Sequence, residues 1–215
     1  MPFTTSDFLN IFKAYNTSVF PFQIVLFASA IYIIYLVIRL KKYSNKVVTG
    51  ILIFYWLWNG IVYHILFFSS INPAAYAFGV VFIIQAALFY KAGIMDKNLV
   101  YEISNDLKTY TGALFILYAL IIYPILGYTG GHIYPSSPTF GLPCPTVIFT
   151  FGILLWAKNK IPFYILGIPI IWSIIGISAA INLEIKEDFG LIVSALIGST
   201  LIILGKIKER KMIKD

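Results

Sequence analysis

Three side chains in this sequence have the chemistry of soft-metal ligands, namely His64, His132 and Cys144. The chain holds two histidines and one cysteine, so these three are its whole supply of imidazole and thiol groups. Together they would suit zinc or copper(I), and a thiolate near a histidine is equally the arrangement of a cysteine nucleophile. The single cysteine excludes an internal disulfide and any multi-cysteine metal framework.

Other polar residues that could contact a ligand occur in the same parts of the sequence. His64 follows Asn59 by five positions, and Glu187 and Asp188 stand between the last two apolar segments. The candidate ligand-binding residues are Asn59, His64, Asn72, Tyr134, Thr146, Glu187 and Asp188. Structural explanations stay open beside these. A lone membrane cysteine can simply pack, His64 could bond to a neighbouring helix, and acids that precede a helix can interact with its dipole.

The elements that must position these side chains are membrane-spanning helices. Of the 215 residues, 60% are apolar and 12% are charged, with a mean hydropathy of +0.87. A soluble domain carries about twice that share of charge. We therefore expect an all-α transmembrane bundle of seven helices, each long enough to cross a bilayer with one exception. The segments cover 21–40, 47–69, 73–95, 109–128, 143–157, 162–182 and 188–206.

Basic residues fall almost entirely in alternate connections between these segments. Fourteen of the 16 Lys and Arg residues lie on one side of the predicted bundle, and Lys13 and Lys186 lie on the other. The positive-inside rule makes the basic side cytoplasmic. The N-terminus is thus expected outside the cell membrane and the C-terminus inside it. The net charge of +7 is then explained by contact with lipid headgroups and not with nucleic acid.

A single membrane domain, residues 21–206, accounts for most of the chain. Residues 1–20 precede it as a predicted amphipathic helix on the outer membrane surface, which Thr5 or Ser6 could cap. Its apolar face is formed, at helical spacing, by Phe8, Phe12, Tyr15 and Val19. Residues 207–215 follow the domain as a basic cytoplasmic tail.

The fifth segment is shorter than the hydrocarbon core of a bilayer is thick, so its helix should start well below the outer surface unless the bilayer thins locally. Pro145 suits the first position of a helix, and the 13 residues from Pro145 to Ala157 would extend about 20 Å. The hydrocarbon core is about 30 Å thick. We therefore expect 129–146 to dip inward as a re-entrant plug over an outward-opening pocket. The helix would then offer free N–H groups from Thr146 onward to an anion and favour a thiolate at Cys144.

Several well-known seven-helix functions are excluded by residues that the sequence lacks. No Asp, Glu, Lys or Arg lies in the middle of a predicted segment, so a retinal Schiff base and a midplane carboxylate relay are absent. One membrane histidine cannot ligate a haem from both sides within a chain. The last segment also lacks the histidine pair of a ceramidase-type zinc hydrolase.

Long motifs resemble an uncharacterised family of prokaryotic multi-pass membrane proteins, a domain of unknown function. They are WLWNGIVYHILFFSSINPAAY (56–76), GHIYPSSPTFGLPCPTVIFTFG (131–152), IPIIWSIIGISAA (168–180) and EDFGLIVSALI (187–197). The similarity extends over nearly the whole chain. It implies an integral-membrane protein of about this length, with no assigned substrate, cofactor or catalytic residue.

Three functional hypotheses follow. The first is a non-enzymatic protein that binds or passes a small solute or a metal ion through an outward-facing pocket at the start of the fifth helix. The second is an intramembrane enzyme that uses Cys144 or a histidine-bound metal, with zinc or copper as cofactor. The third is a structural subunit of a larger membrane complex. The lipid bilayer is the one partner common to all three, and the oligomeric state stays open.

Overall fold

The regular secondary structure of the described residues is helical, apart from two isolated β-bridges. This computed structural model describes residues 2–158 and 161–212, with side chains up to residue 207, and contains eight helices in those ranges. The helices are α1 (Thr5–Val19), α2 (Phe22–Arg39), α3 (Ser44–Ser70), α4 (Ala75–Met95), α5 (Leu107–Thr129), α6 (Pro143–Leu155), α7 (Tyr164–Leu183) and α8 (Phe189–Met212).

Six long apolar helices could cross a membrane. They are α2, α3, α4, α5, α7 and the segment Lys186–Ile207, which contains most of α8. Each corresponds to one of the predicted segments. The seventh predicted segment, 143–157, corresponds to α6, which has 13 residues and is shorter than the others. The structure thus supports an all-α membrane bundle with six long apolar helices and one short one.

Helix α6 occupies the centre of the bundle. Twelve of its 13 residues are buried, because α5, α7 and α8 all pack around it. Close approach to α5 depends on two glycines. A Cβ atom on Gly112 would lie 2.8 Å from the carbonyl oxygen of Gly152, which is closer than side-chain carbons come to other atoms. A helix enclosed on every side can be apolar all round and needs no polar face.

Helix α1 covers one end of the bundle. It is a helix, as the sequence predicts, but its cap is Thr4 and not Thr5 or Ser6. Thr4 and Asp7 form a reciprocal capping box, which satisfies N–H groups at the helix start. The predicted apolar face is directed at the protein. Phe8 and Phe12 are buried against α3, where their rings contact Phe68 and Tyr63.

The connections between helices gather at two opposite ends. The first, called here the pocket end, contains α1, the turn at 71–74, the connection 130–142 and residues 184–188. The second, called the basic end, joins α3 to the connection before α5, where Asn45 Oδ1 accepts a 2.9 Å hydrogen bond from the Tyr101 N–H. Helix α8 continues through Met212 into the predicted basic tail, and 213–215 lie outside the described residues.

Candidate functional site

The connection 130–142 runs from the protein surface into the bundle. Gly131 at its start is exposed, whereas Pro138 and the run from Phe140 to Pro143 are buried. Gly141 permits this entry because its φ of +102° favours glycine, and a Cβ atom there would lie 2.6 Å from Leu26 Cδ1. The burial agrees with the expected inward dip of this segment.

Asn16 of α1 holds the connection in place. Its Nδ2 donates to the carbonyl oxygens of Pro135 and Ser137 at 2.6 and 2.7 Å. Its Oδ1 accepts from Gln23 Nε2 at 2.5 Å and from Thr139 Oγ1 at 2.9 Å. The Asn16 side chain is fully buried, so these bonds replace the water contacts that it loses on folding. Helix α1 and the connection are therefore fixed to each other.

Tyr15 adds a second attachment one residue earlier. Its hydroxyl donates to the Gly141 carbonyl oxygen at 3.2 Å and accepts from Trp58 Nε1 at 2.7 Å. The side chain is fully buried. Burial raises the pKa of Tyr15 because the phenolate would lose its hydration. The phenol therefore remains a hydrogen-bond donor to the connection at any physiological pH.

A cavity of about 170 Å³ lies beneath α1, at the start of α6. A cavity of about 150 Å³ lined by apolar side chains is known to hold benzene, so this one matches a small organic molecule. Asn72, Cys144, Trp172 and Asp188 contribute polar groups to its lining. The rest of the wall is mainly apolar and aromatic, and includes Phe3, Phe8, Phe12, Tyr63, Phe68 and Phe78.

Two buried acids stand next to this cavity. Asp188 accepts a short hydrogen bond from the Tyr123 hydroxyl, and the Cys144 thiol lies beside the same carboxylate. Glu187 Oε1 is 2.8 Å from His132 Nδ1. The acids are only 1% and 2% exposed. We call these five residues the carboxylate cluster. Burial of two adjacent acids is costly unless polar or charged groups face them.

His64 lies in a different environment nearby. It belongs to a π-helical segment of α3, Asn59–Phe67, and is fully buried. Neither ring nitrogen has a hydrogen-bond partner among the described residues, so the alternative of a bond to a neighbouring helix is wrong. We call His64 and the surrounding rings the histidine enclosure. Ring centroids lie 4.7 to 6.1 Å from His64 for Phe82, Trp172, Tyr63, Phe78 and Phe68.

Comparison with known proteins places the chain in a family. A family model described as a family of unknown function, DUF6064, matches residues 5–212. The chain belongs to the DUF6064 family. This membership confirms the resemblance that the sequence motifs indicate. No curated protein and no solved structure matches the sequence of this DUF6064 member.

The predicted metal ligands of this DUF6064 protein lie in two settings, since His132 and Cys144 both belong to the carboxylate cluster but face different acids. His64 is inside the histidine enclosure, His132 is paired with Glu187, and Cys144 faces Asp188. Across 2–158 and 161–212, no group of three or more His, Cys, Asp or Glu side chains could hold a metal ion. The acidic neighbour of Cys144 is Asp188, so the expected pairing of this thiol with a histidine is not observed among the described residues.

The predicted ligand-binding residues divide into two groups. Asn72 and Asp188 line the cavity, whereas Glu187 does not line it and contacts His132. Asn59 Nδ2 donates to the Tyr55 carbonyl oxygen at 2.8 Å and to Thr146 Oγ1 at 3.4 Å, inside the bundle. Tyr134 is half exposed, and its hydroxyl is 3.5 Å from the Asn16 carbonyl oxygen. The side chains that likewise do not line the cavity are Asn59, Thr146 and Tyr134.

The start of α6 differs from the prediction. The helix begins at Pro143 and not at Pro145, with Leu142 in the N-cap position, so Cys144 lies within the first turn. The Thr146 N–H, which was expected to be free, donates to the Leu142 carbonyl oxygen at 3.2 Å. The nearest charged groups are acidic, which does not favour an anion at this helix start.

Two cavity residues were missed by sequence reasoning. Tyr123 and Trp172 are not among the candidate residues from the sequence, but both are buried and line the cavity. One signal was available for Trp172, which stands near the middle of Tyr164–Leu183. Tryptophan gathers at membrane interfaces, so a tryptophan at mid-helix calls for a contact inside the bundle.

Proposed function

We propose that this DUF6064 protein binds a small solute in the cavity at the start of α6. The observation that carries the proposal is the cavity itself, about 170 Å³ in volume, with apolar walls and a few polar groups that include the buried Asp188. Apolar pockets with a small number of converging polar groups are the usual form of small-molecule sites. Twelve of the 13 residues of α6 are buried below the cavity. We therefore propose binding in preference to conduction.

The proposed orientation in the membrane places the cavity on the outside of a prokaryotic plasma membrane. Support comes from the charge distribution along the sequence, since fourteen of the 16 basic residues fall in alternate connections between the predicted segments or at their flanks. We propose seven spans with the N-terminus outside, and α6 serves as the short fifth one. Residues 1–20 then form the outer cover, 21–206 the membrane domain and 207–215 the cytoplasmic tail.

Filling the cavity tests the binding proposal. Ala179 lines the cavity, so we expect Ala179→Phe to occupy it. The matched control is Ile181→Phe on the same helix, because the Ile181 side chain is 62% exposed on the outer face of the bundle. The probes are benzylamine, benzyl alcohol and benzoate, whose common ring has the size of benzene. Titration calorimetry in detergent should detect binding of at least one probe to the wild type and to Ile181→Phe, with loss of that binding in Ala179→Phe. Equal heats in all three proteins would contradict the proposal.

Labelling of intact cells tests the orientation. In a Cys144→Ser background, a single cysteine is placed by Ser18→Cys in α1 or by Lys41→Cys at the basic end. Both positions are exposed. A membrane-impermeant maleimide should label the first in intact cells and the second only after the membrane is permeabilised. The reverse pattern would overturn the proposed topology.

A further inference from the structure

Asp188 is paired with no basic side chain among the described residues, whereas Glu187 lies beside His132. Among the residues that the structure describes, the ion pairs are Lys91–Asp96, His132–Glu187 and Lys158–Glu102. Asp188 is 2% exposed and faces the Tyr123 hydroxyl and the Cys144 thiol, which are both uncharged donors. Of these two neighbouring buried acids, Glu187 alone has a basic side chain beside it among the described residues, and a cationic group at Asp188 would offset the cost of burying its carboxylate.

The hydrogen bond to Asp188 also distinguishes it from a simple helix cap. Tyr123 belongs to α5, so this donor comes from a neighbouring helix and not from the first turn of α8. The carboxylate lines the cavity together with its donor. An intramembrane acid that faces an open space is in the position of a ligand-binding group.

The cavity wall offers a second observation, independent of Asp188. Trp172 lines the cavity and is 7% exposed, and its buried Nε1 lies beside the Cys144 thiol without a hydrogen-bond partner among the described residues. Its ring, together with those of Tyr63 and Phe12, forms part of the wall. Aromatic faces carry negative charge density and attract cations, with tryptophan the strongest of them.

We propose that the solute is a small organic ammonium ion with an apolar body. Its N–H groups would bind the Asp188 carboxylate, and its body would lie against the rings of Tyr63 and Trp172. This inference rests on the proposed function, since it names the chemical class of the molecule that the cavity takes. The ammonium offsets the cost of burying the Asp188 carboxylate, and the apolar body matches the remaining wall.

The three probes separate this inference from the proposed function, because they share a benzyl or phenyl ring and differ in the polar group. At pH 7 in low salt, we expect benzylamine to bind the wild type at least tenfold more tightly than benzyl alcohol, with no measurable binding of benzoate. Equal or tighter binding of benzyl alcohol or benzoate would overturn the ammonium inference and leave the solute site standing. Failure of all three to show binding that Ala179→Phe abolishes would overturn the proposed function itself.

Substitution of Asp188 tests whether its carboxylate causes the preference for benzylamine over benzyl alcohol. Asp188→Asn keeps the shape of the side chain and an acceptor for Tyr123, so benzylamine affinity should fall at least tenfold, to that of benzyl alcohol. Unchanged benzyl alcohol binding verifies that the variant is folded. The control Glu184→Gln removes an exposed acid at the same end and should change neither affinity. A tenfold preference that survives in Asp188→Asn would contradict the role of this carboxylate. If Asp188→Asn does not fold, the order of the three probes on the wild type still decides the inference.

Discussion

The histidine enclosure and the carboxylate cluster both touch Trp172, yet their surroundings are opposite in character. His64 is 4.9 Å from the Trp172 ring between centroids, is enclosed by aromatic rings and makes no hydrogen bond to the described residues. Asp188 and Glu187 receive hydrogen bonds or ion pairs from Tyr123 and His132. The imidazole of the histidine enclosure thus has no polar contact among the described residues, whereas the acids of the carboxylate cluster have hydrogen-bonding partners.

This difference shows that residue type alone does not locate a membrane site. The single intramembrane histidine was the strongest chemical signal in the sequence, but His64 does not line the cavity. The acids at 187 and 188 looked like a helix cap, but one of them does line it. Contact with open space, which depends on how the helices pack, separates a group that can meet a ligand from one that is sealed in the core.

The largest expected effect comes from removing the residue that the two sites share. Trp172→Ala would delete a buried indole and merge the cavity with the histidine enclosure. Because the lost volume cannot be refilled, we expect the free energy of unfolding to fall by about 3–5 kcal/mol. Thermal unfolding in detergent measures this loss.

The control for that variant is Tyr76→Ala, which removes an aromatic side chain that is 57% exposed. It should change the free energy of unfolding by no more than about 0.5 kcal/mol. A Trp172→Ala protein as stable as the Tyr76→Ala control would mean that Trp172 does not form a shared wall, and that the two sites are separated by other side chains.

Removal of one hydroxyl tests the connected character of the carboxylate cluster. Tyr123→Phe keeps the ring and removes the hydroxyl donor to Asp188, which then faces the Cys144 thiol alone of its two described donors. Loss of a buried hydrogen bond to an acid should cost about 1.5–3 kcal/mol. Thermal unfolding again gives the value, and Tyr128→Phe on the same helix is the matched control because Tyr128 is 67% exposed. Equal stability of the two variants would show that the cluster does not depend on this bond.

The sequence predicted the helices well because apolar runs and charged connections are local properties. The predicted segment 21–40 corresponds to Phe22–Arg39, and 162–182 corresponds to Tyr164–Leu183. The short fifth helix was also evident, since its length follows from where the prolines and the basic residues stand. The neighbours of each face of this helix were not evident, because a helix buried on every side has no hydrophobic periodicity.

The contacts of the candidate site could not be predicted in the same way. Tyr123 and Asp188 are 65 positions apart, and His132 and Glu187 are 55 apart. Such pairs depend on helix rotation and on which helices are neighbours. Apolar side chains on all faces leave both undetermined in a membrane bundle, where lipid and protein are equally apolar. The Asn16 attachment of α1 was missed for the same reason.

A smaller effect is expected from replacing the imidazole in the histidine enclosure. His64→Phe removes two nitrogen atoms that have no partner among the described residues and adds a ring to an aromatic cluster. Replacement of a buried polar group by an apolar one of similar shape can be nearly neutral. We expect the free energy of unfolding to change by less than about 1.5 kcal/mol, as measured by the same thermal unfolding. A loss as large as that of Trp172→Ala would show that His64 makes a polar contact, and the contrast between the two sites would disappear.

The smallest effect is expected at the start of α1, which covers both sites from the pocket end. Hydrogen bonds from the Thr4 hydroxyl and backbone N–H lower the pKa of Asp7 from its usual value of about 3.9. A group with a lowered pKa stabilises the folded state above its unfolded pKa and loses that contribution as the pH falls through the folded pKa. Hydrogen exchange of the α1 amides, corrected for the intrinsic rate, should therefore be slower in the wild type than in Asp7→Asn at pH 6, and the difference should shrink as the pH falls through the lowered pKa of Asp7. A difference in exchange rate that does not depend on pH would assign the stability of α1 to the packing of Phe8 and Phe12 alone. The capping box would then have no part in holding α1 over either site.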